Sequence, residues 1–467
     1  MRPDRAAWLC LVLGHAVLTF YFVDARFTAN PLSRALPIVS LFEEGTLRID
    51  RHQSLTPDKA KIGDHYYSDK PPLATAITAL AYGAAQPFVY HPGNPSYRAY
   101  RDTRRAIALG GVLTGSIPFF GLLFLCFDGA GALTLSRRAW LVPLAVYGGF
   151  LHIYAGVFIG HLLGAALLVL AYRSLFERGR PFRAGVLVGL AFLAEYPLAL
   201  ALPLWAAQRF ARARRSREVV ALGAGFAPAA VLSAGYNLYL TGDPITFAYK
   251  FNATAEFGAL DRAYGLAWPS LHTLYGLTFS PFRGVFFYAP VALVLLPSIA
   301  WAARGGWKTL LSDGALGFFL LSLLFYVSRS DDPWPIWTGG YCYGPRYLVP
   351  ATALLVYRGL QTIPPRDHLR TAFVAAAGAL GVIFAWSAAV TTGYLAGTDL
   401  EPNPLFDHIL PQLFGAGPTA DTSVLAALTA TPAESANVLW LLLFAATLAV
   451  PAWLFRRAAE RDGAAPA

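Results

Sequence analysis

Asp64, His65, Tyr66, Tyr67, Asp69 and Lys70 crowd into the stretch Ile62–Leu73, which turns at Pro71-Pro72 into an apolar run. An ammonium beside carboxylates and phenols is equipment for handling an anion. Lysine neutralises a phosphate as a point charge, and arginine does so bidentately. Lys70, Arg34 and Arg346 are the cations expected to bind a phosphate or diphosphate. Nearby acidic residues could take the proton of an incoming hydroxyl as a general base. Proline at a helix start fixes φ and needs no donor. A helix is therefore expected from Leu73 onward, its free amides and positive dipole end facing Lys70. The plainer reading is a loop-to-helix junction with a snorkelling lysine. The density of polar neighbours favours the first.

Other residues fit the same chemistry. Tyr66, Tyr67, Trp334, Trp337, Tyr341 and Tyr343 could stack on a sugar or an isoprenoid chain. An interfacial aromatic belt is the alternative for any one of them. Glu195 stands inside an apolar stretch, where a carboxylate is costly, so it reads as a substrate contact or a structural cap. His152 and His161 are not spaced as metal ligands on one helix face. They are expected as polar loop residues, with substrate contact as the lesser alternative.

The elements that must position these groups are membrane helices. The chain has 467 residues, of which 56% are hydrophobic and 14% charged. Soluble domains carry about 25% charged residues. Trp8–Val23, Ala106–Phe127 and Val438–Leu454 approach or reach the roughly 20 residues needed to cross a bilayer. The class is an all-α polytopic integral membrane protein. A formal charge of +10 does not point to nucleic acid, because the basic residues cluster in short loops such as Arg173–Arg183 and Arg209–Arg217. That is the pattern of cytoplasmic loops. Cys10, Cys126 and Cys342 are widely spaced and suggest neither a disulfide framework nor a metal site.

Counting spans with those loops inside gives about twelve transmembrane helices and both ends in the cytoplasm. Residues 24–104 become a long helical first extracytoplasmic loop, and 241–288, 328–350 and 395–436 become further outer segments of one domain. Leu73–Val89 is apolar enough to span, but a crossing there would invert every later loop. An interfacial or re-entrant helix is expected instead. Glu195-Tyr196-Pro197 is expected to break 184–210 into two short helices.

Four segments together carry a family resemblance: "NPLSRALPIVSLFEEGTLRID", "GDHYYSDKPPL", "LTFSPFRGVFFYAP" and "WTGGYCYGPRYLVP". They resemble bacterial membrane glycosyltransferases of the GT-C fold. The pattern is nearest the family 39, dolichyl-phosphate-mannose protein mannosyltransferase-like proteins, in a superfamily that includes the lipid A aminoarabinose transferase. The resemblance covers most of the chain. It implies a polyprenyl-phosphate sugar donor, an acceptor on the outer face, and Lys70 as the ligand of the donor phosphate. It also implies a carboxylate base early in the first outer loop, and there the chain departs. Asn30 stands at that position, and an amide cannot serve as a base. Asp69, Asp58 or Asp24 must take the role, or the chemistry differs. Asp69 comes first because the adjacent cation keeps it ionised. Asn30 remains a substrate contact, with Tyr66, Tyr67, Glu195 and Tyr343.

The expected function is sugar transfer from a polyprenyl phosphate to an extracytoplasmic lipid, glycan or protein, at the bacterial inner membrane. No cofactor and no divalent metal are expected, because lysine and arginine can cover a single phosphate. A lipid-linked sugar flippase is the alternative from another class. It would need ionisable residues through mid-membrane and inverted repeats. A non-catalytic lipid- or glycan-binding protein is the third reading, which Asn30 keeps open.

Overall fold

The computed structural model describes residues 3–89, 93–213, 216–253, 265–302, 313–329, 335–395, 402–429 and 431–461. Trp334 and parts of the expected outer segments 241–288, 328–350 and 395–436 lie outside them. Among the described residues four helices are long and apolar enough to cross a membrane: Ser96–Gly129, Ser216–Thr241, His368–Ala389 and Ala433–Arg461. Pro181–Ala194, Pro290–Ala300 and Gly314–Val327 are shorter apolar helices. The chain is a polytopic membrane protein.

Helix α1 (Pro3–Thr19) leads to α2 (Ala29–Glu44), which Gly45 ends in the left-handed conformation. A short hairpin follows, β1 (Ala60–Ile62) against β2 (His65–Tyr67), paired antiparallel around Gly63. Then come α3 (Pro72–Ala85) and α4 (Pro95–Gly111). Through a π-helical turn at Val112–Ser116, α4 continues into α5 (Ile117–Gly129). The remaining helices that matter here are α6 (Leu135–Tyr147), α7 (His161–Tyr172), α8 (Pro181–Ala194), α9 (Ala201–Ala213) and α10 (Ser216–Thr241). The core packs α7 between α5 and α8, and α8 against α10.

Where α8 crosses α10, glycine sets the approach. A Cβ on Gly185 would collide with the Leu222 carbonyl, and one on Gly225 with the Phe182 carbonyl. Small residues let helix backbones meet closely where lipid supplies no hydrophobic drive. Gly225→Val is accordingly expected to force the pair apart and lower stability by about 1–3 kcal/mol. Thermal unfolding in detergent, with Gly223→Val on the open side of the same helix as control, reads the effect.

Several expectations meet the structure here. The break at Glu195 is present: α8 ends at Ala194, a 3₁₀ turn spans Tyr196–Leu200, and α9 follows. The helix after Lys70 begins at the proline corner, with Pro71 as its cap and Pro72 inside its first turn. It has 14 residues, about 21 Å at 1.5 Å per residue, too short to cross upright. It packs on α2, α4 and α8. The architecture is helical with almost no sheet: the short hairpin at residues 60–67 is the one named sheet among the described residues. The helix that begins at Pro95 runs on into the candidate span Ser96–Gly129. Proline at the start and Asn94 accepting from the Tyr97 amide nucleate that helix early.

Candidate active site

Lys70 is held at the corner between β2 and α3. Its Nζ lies 2.8 Å from Asp58 Oδ2 and 3.1 Å from Asp69 Oδ2. The Asp69 side chain is wholly buried. Its Oδ1 accepts from Ser33 Oγ at 3.0 Å, and its Oδ2 accepts from Asn252 Nδ2 at 3.1 Å. Ser33 comes from α2 and Asn252 from the segment after α10, so three elements converge on one carboxylate. Ala60 also forms a β-bridge to Asn252, which holds that segment against the hairpin. Asp58 is more open, with 20% of its side chain exposed. Burial disfavours its charge, but the Lys70 ammonium outweighs burial and holds the carboxyl below the usual aspartate range. Burial likewise works against the charge on Lys70, and Asp58 and Asp69 together raise its hold on the proton above the usual lysine range.

A second cluster adjoins the first. On α2, Asn30 and Arg34 are one helical turn apart and share a face. Arg34 Nε donates to Asn30 Oδ1 at 3.2 Å, its second nitrogen to the Pro71 carbonyl at 3.3 Å, and its third to Glu195 Oε1 at 2.9 Å. Glu195 sits where α8 stops, and His161 Nδ1 approaches the same oxygen to 3.4 Å. His161 opens α7, and its Nε2 is buried without a hydrogen-bond partner among the described residues. Arg34 reaches the Pro71 carbonyl next to Lys70, which joins the two clusters, and Arg346 lies close enough to act electrostatically on both Asp58 and His161.

Arg346 enters from the far end of the chain. Its guanidinium lies over the Tyr347 ring, 5.2 Å from the centroid, and Tyr347 stacks on Tyr326 at 5.0 Å. Its Nε has no partner among the described residues. The turn that carries it is shaped by Arg283, which is fully buried and donates to the carbonyls of Thr338 and Gly340. Gly339 in that turn has φ +77, and its missing side chain leaves room for the Arg346 stem.

An apolar groove of about 540 Å³ opens beside this polar corner. Ile38, Leu41 and Phe42 of α2 line it, with Ala79 and Leu80 of α3. Ser68 and Pro72, which flank Lys70 in the chain, line it too.

The predicted site residues are not all gathered there. Lys70, Asp69, Asp58, Arg34, Asn30, Glu195 and Arg346 come together. Asp24 is not seen among them: its carboxylate is paired with Arg26, which also donates to the Thr392 carbonyl, beside Gly393. Tyr66 and Tyr67 belong to the hairpin. Tyr66 lies near the Lys59 and Lys61 ammonium groups, and Tyr67 is buried with Ala60, Leu240 and Ala248. Tyr343 is buried beneath the Arg346 turn, edge-on to Tyr288 at 4.7 Å. Arg34 is a clamp rather than a free cation, since it is 1% exposed and donates to three acceptors. Sequence reasoning set His161 aside as a loop residue. The signal available was the glycine before it and the break opposite it, which together let a helix start meet a helix end.

No family model matches the chain, and no curated protein matches it. Two solved structures are similar. ArnT from Cupriavidus metallidurans in the apo state aligns with 97% of this chain and 78% of that one, at 16% identity and a TM-score of 0.50. The same ArnT bound to undecaprenyl phosphate aligns with 98% of this chain and 78% of that one, at 15% identity and a TM-score of 0.48. The likeness to the apo structure is one of overall architecture, and by it this chain has the fold of ArnT.

Proposed function

We propose that the chain is a GT-C glycosyltransferase that moves a sugar from a polyprenyl phosphate to an acceptor on the extracytoplasmic side of the bacterial inner membrane. One observation carries the reading: Ser68 and Pro72, close chain neighbours of Lys70 on either side, line the apolar groove between α2 and α3, so the Lys70 corner adjoins that groove. A ligand suited to both has an anionic head and a long hydrocarbon chain. Lys70 and Arg346 cover the phosphate charge without a metal, and a carboxylate of the same corner takes the proton of the acceptor hydroxyl. The fold shared with ArnT supports the class. About twelve spans, with the segment between α1 and α5 facing outward, complete the reading.

Proteoliposomes holding the purified protein and polyprenyl-phosphate-linked pentoses and hexoses test it. Loss of sugar from one of these lipids, with transfer to an added lipid or glycan fraction, is the expected result. Movement of the intact donor between leaflets without bond cleavage would replace the transferase with a flippase. Binding with neither would leave a lipid-binding protein.

A further inference from the structure

Two carboxylates share one ammonium, and their surroundings differ. Asp69 is wholly buried and receives Ser33, Asn252 and Lys70, so both its oxygens are engaged by donors. No face is left for an incoming hydroxyl. Asp58 gives Oδ2 to Lys70, and its Oδ1 takes no hydrogen bond among the described residues. A fifth of its side chain is open. Its backbone is pinned: the Thr56 hydroxyl accepts from the Asp58 amide at 3.1 Å and donates to the Ala29 carbonyl at 2.9 Å. That tether ties Asp58 to the first turn of α2, beside Asn30, the one polar side chain of that turn facing Arg34 that cannot accept a proton as a base. Glu195, the third carboxylate, contacts Arg34 and His161 and makes no ion pair with Lys70.

We infer that Asp58 is the general base of the transfer, and that Asp69 is a positioning residue that fixes Lys70. The inference rests on the transferase reading above. An ammonium hydrogen-bonded to both partners keeps the Asp58 oxygen within about 5.5 Å of a phosphate oxygen. The acceptor oxygen and the anomeric carbon fit between them. In the step, the acceptor O–H proton passes to Asp58, and the acceptor oxygen bonds to the anomeric carbon. The bond from that carbon to the phosphate oxygen breaks, and its electron pair leaves with the polyprenyl phosphate. Lys70 and Arg346 meet the charge gained by the phosphate. Asp58 then gives its proton to water, and no further reactant is needed.

The test uses the full chain in nanodiscs, with two measurements on Asp58→Asn, Asp58→Glu and Asp69→Asn. One is turnover of the polyprenyl-phosphate sugar that the wild type consumes. The other is equilibrium binding of sugar-free polyprenyl phosphate. Asp58→Asn should lower kcat about 10²- to 10⁴-fold, with phosphate binding unchanged or tighter because one anion has left Lys70. Asp58→Glu should recover part of the rate. Asp69→Asn should weaken binding and raise KM more than it lowers kcat. Wild-type kcat in Asp58→Asn overturns the assignment, and so does a loss of rate matched by an equal loss of phosphate binding. Either result leaves the transferase standing. Absence of turnover in the wild type on every donor removes the transferase reading and the base with it.

Discussion

Lys70→Met is expected to reduce sugar transfer about 10³-fold, the scale of losing a preorganised charge aimed at a transition state. Binding of polyprenyl phosphate should weaken about 10- to 100-fold, in line with one charge-assisted hydrogen bond. The fold should also suffer, which the sequence alone does not foresee. Lys70 is the shared counter-ion of Asp58 and Asp69, so its removal leaves two carboxylates facing each other in a largely buried corner. One of them must then take up a proton at a higher pH than before. Lys70→Arg separates the two effects. It keeps the charge and should keep the fold, but a planar fork cannot reproduce the geometry of a compact ammonium, so transfer should stay low. Initial rates and lipid-phosphate binding, read beside thermal unfolding in detergent, check this. Full activity in Lys70→Met would remove the phosphate corner from the mechanism.

Glu195→Leu is expected to carry a large stability cost. Arg34 is 1% exposed, and Glu195 is its only carboxylate partner among the described residues. Removing one member of a buried ion pair typically costs about 3–5 kcal/mol, because the other charge is stranded. Asn30 and the Pro71 carbonyl remain, but neither is charged. Arg34→Leu should be similarly damaging, and the double variant Arg34→Leu/Glu195→Leu less so than the sum of the two. That non-additivity is the signature of a direct pair. Reversible unfolding in mixed micelles measures all three. Additive losses would show that Glu195 and Arg34 do not depend on each other. The clamp ties α2 to the end of α8, so its failure should also loosen the floor of the site.

What could be read from residues alone follows a clear rule. Pro71-Pro72 and Glu195-Tyr196-Pro197 are local signals, and both mark element boundaries where expected. The hairpin at 60–67 escaped because strands of three residues show no period, although Gly63 with φ +61 marks its turn. Lys70 stands out in the sequence because its chain neighbours are also polar. Asp24 is a lesser candidate for the base, and its pairing depends on Arg26, two residues away, folding back onto it. The ranking of Asp69 over Asp58 rested on adjacency to Lys70. Adjacency gave the contact with Lys70, but it does not foresee that Ser33 and Asn252 close around Asp69.

The sequence by itself determined that this is a helical membrane protein with a lysine at a proline-built corner. Composition, hydrophobic run length and proline geometry act locally, so they survive without knowledge of packing. Only the tertiary structure decided which charges meet. Arg34 finds Glu195 across 161 residues and Asp69 finds Asn252 across 183, because helix packing brings them within hydrogen-bonding distance. A buried charge must be paired to be tolerated, but chain order does not say by whom.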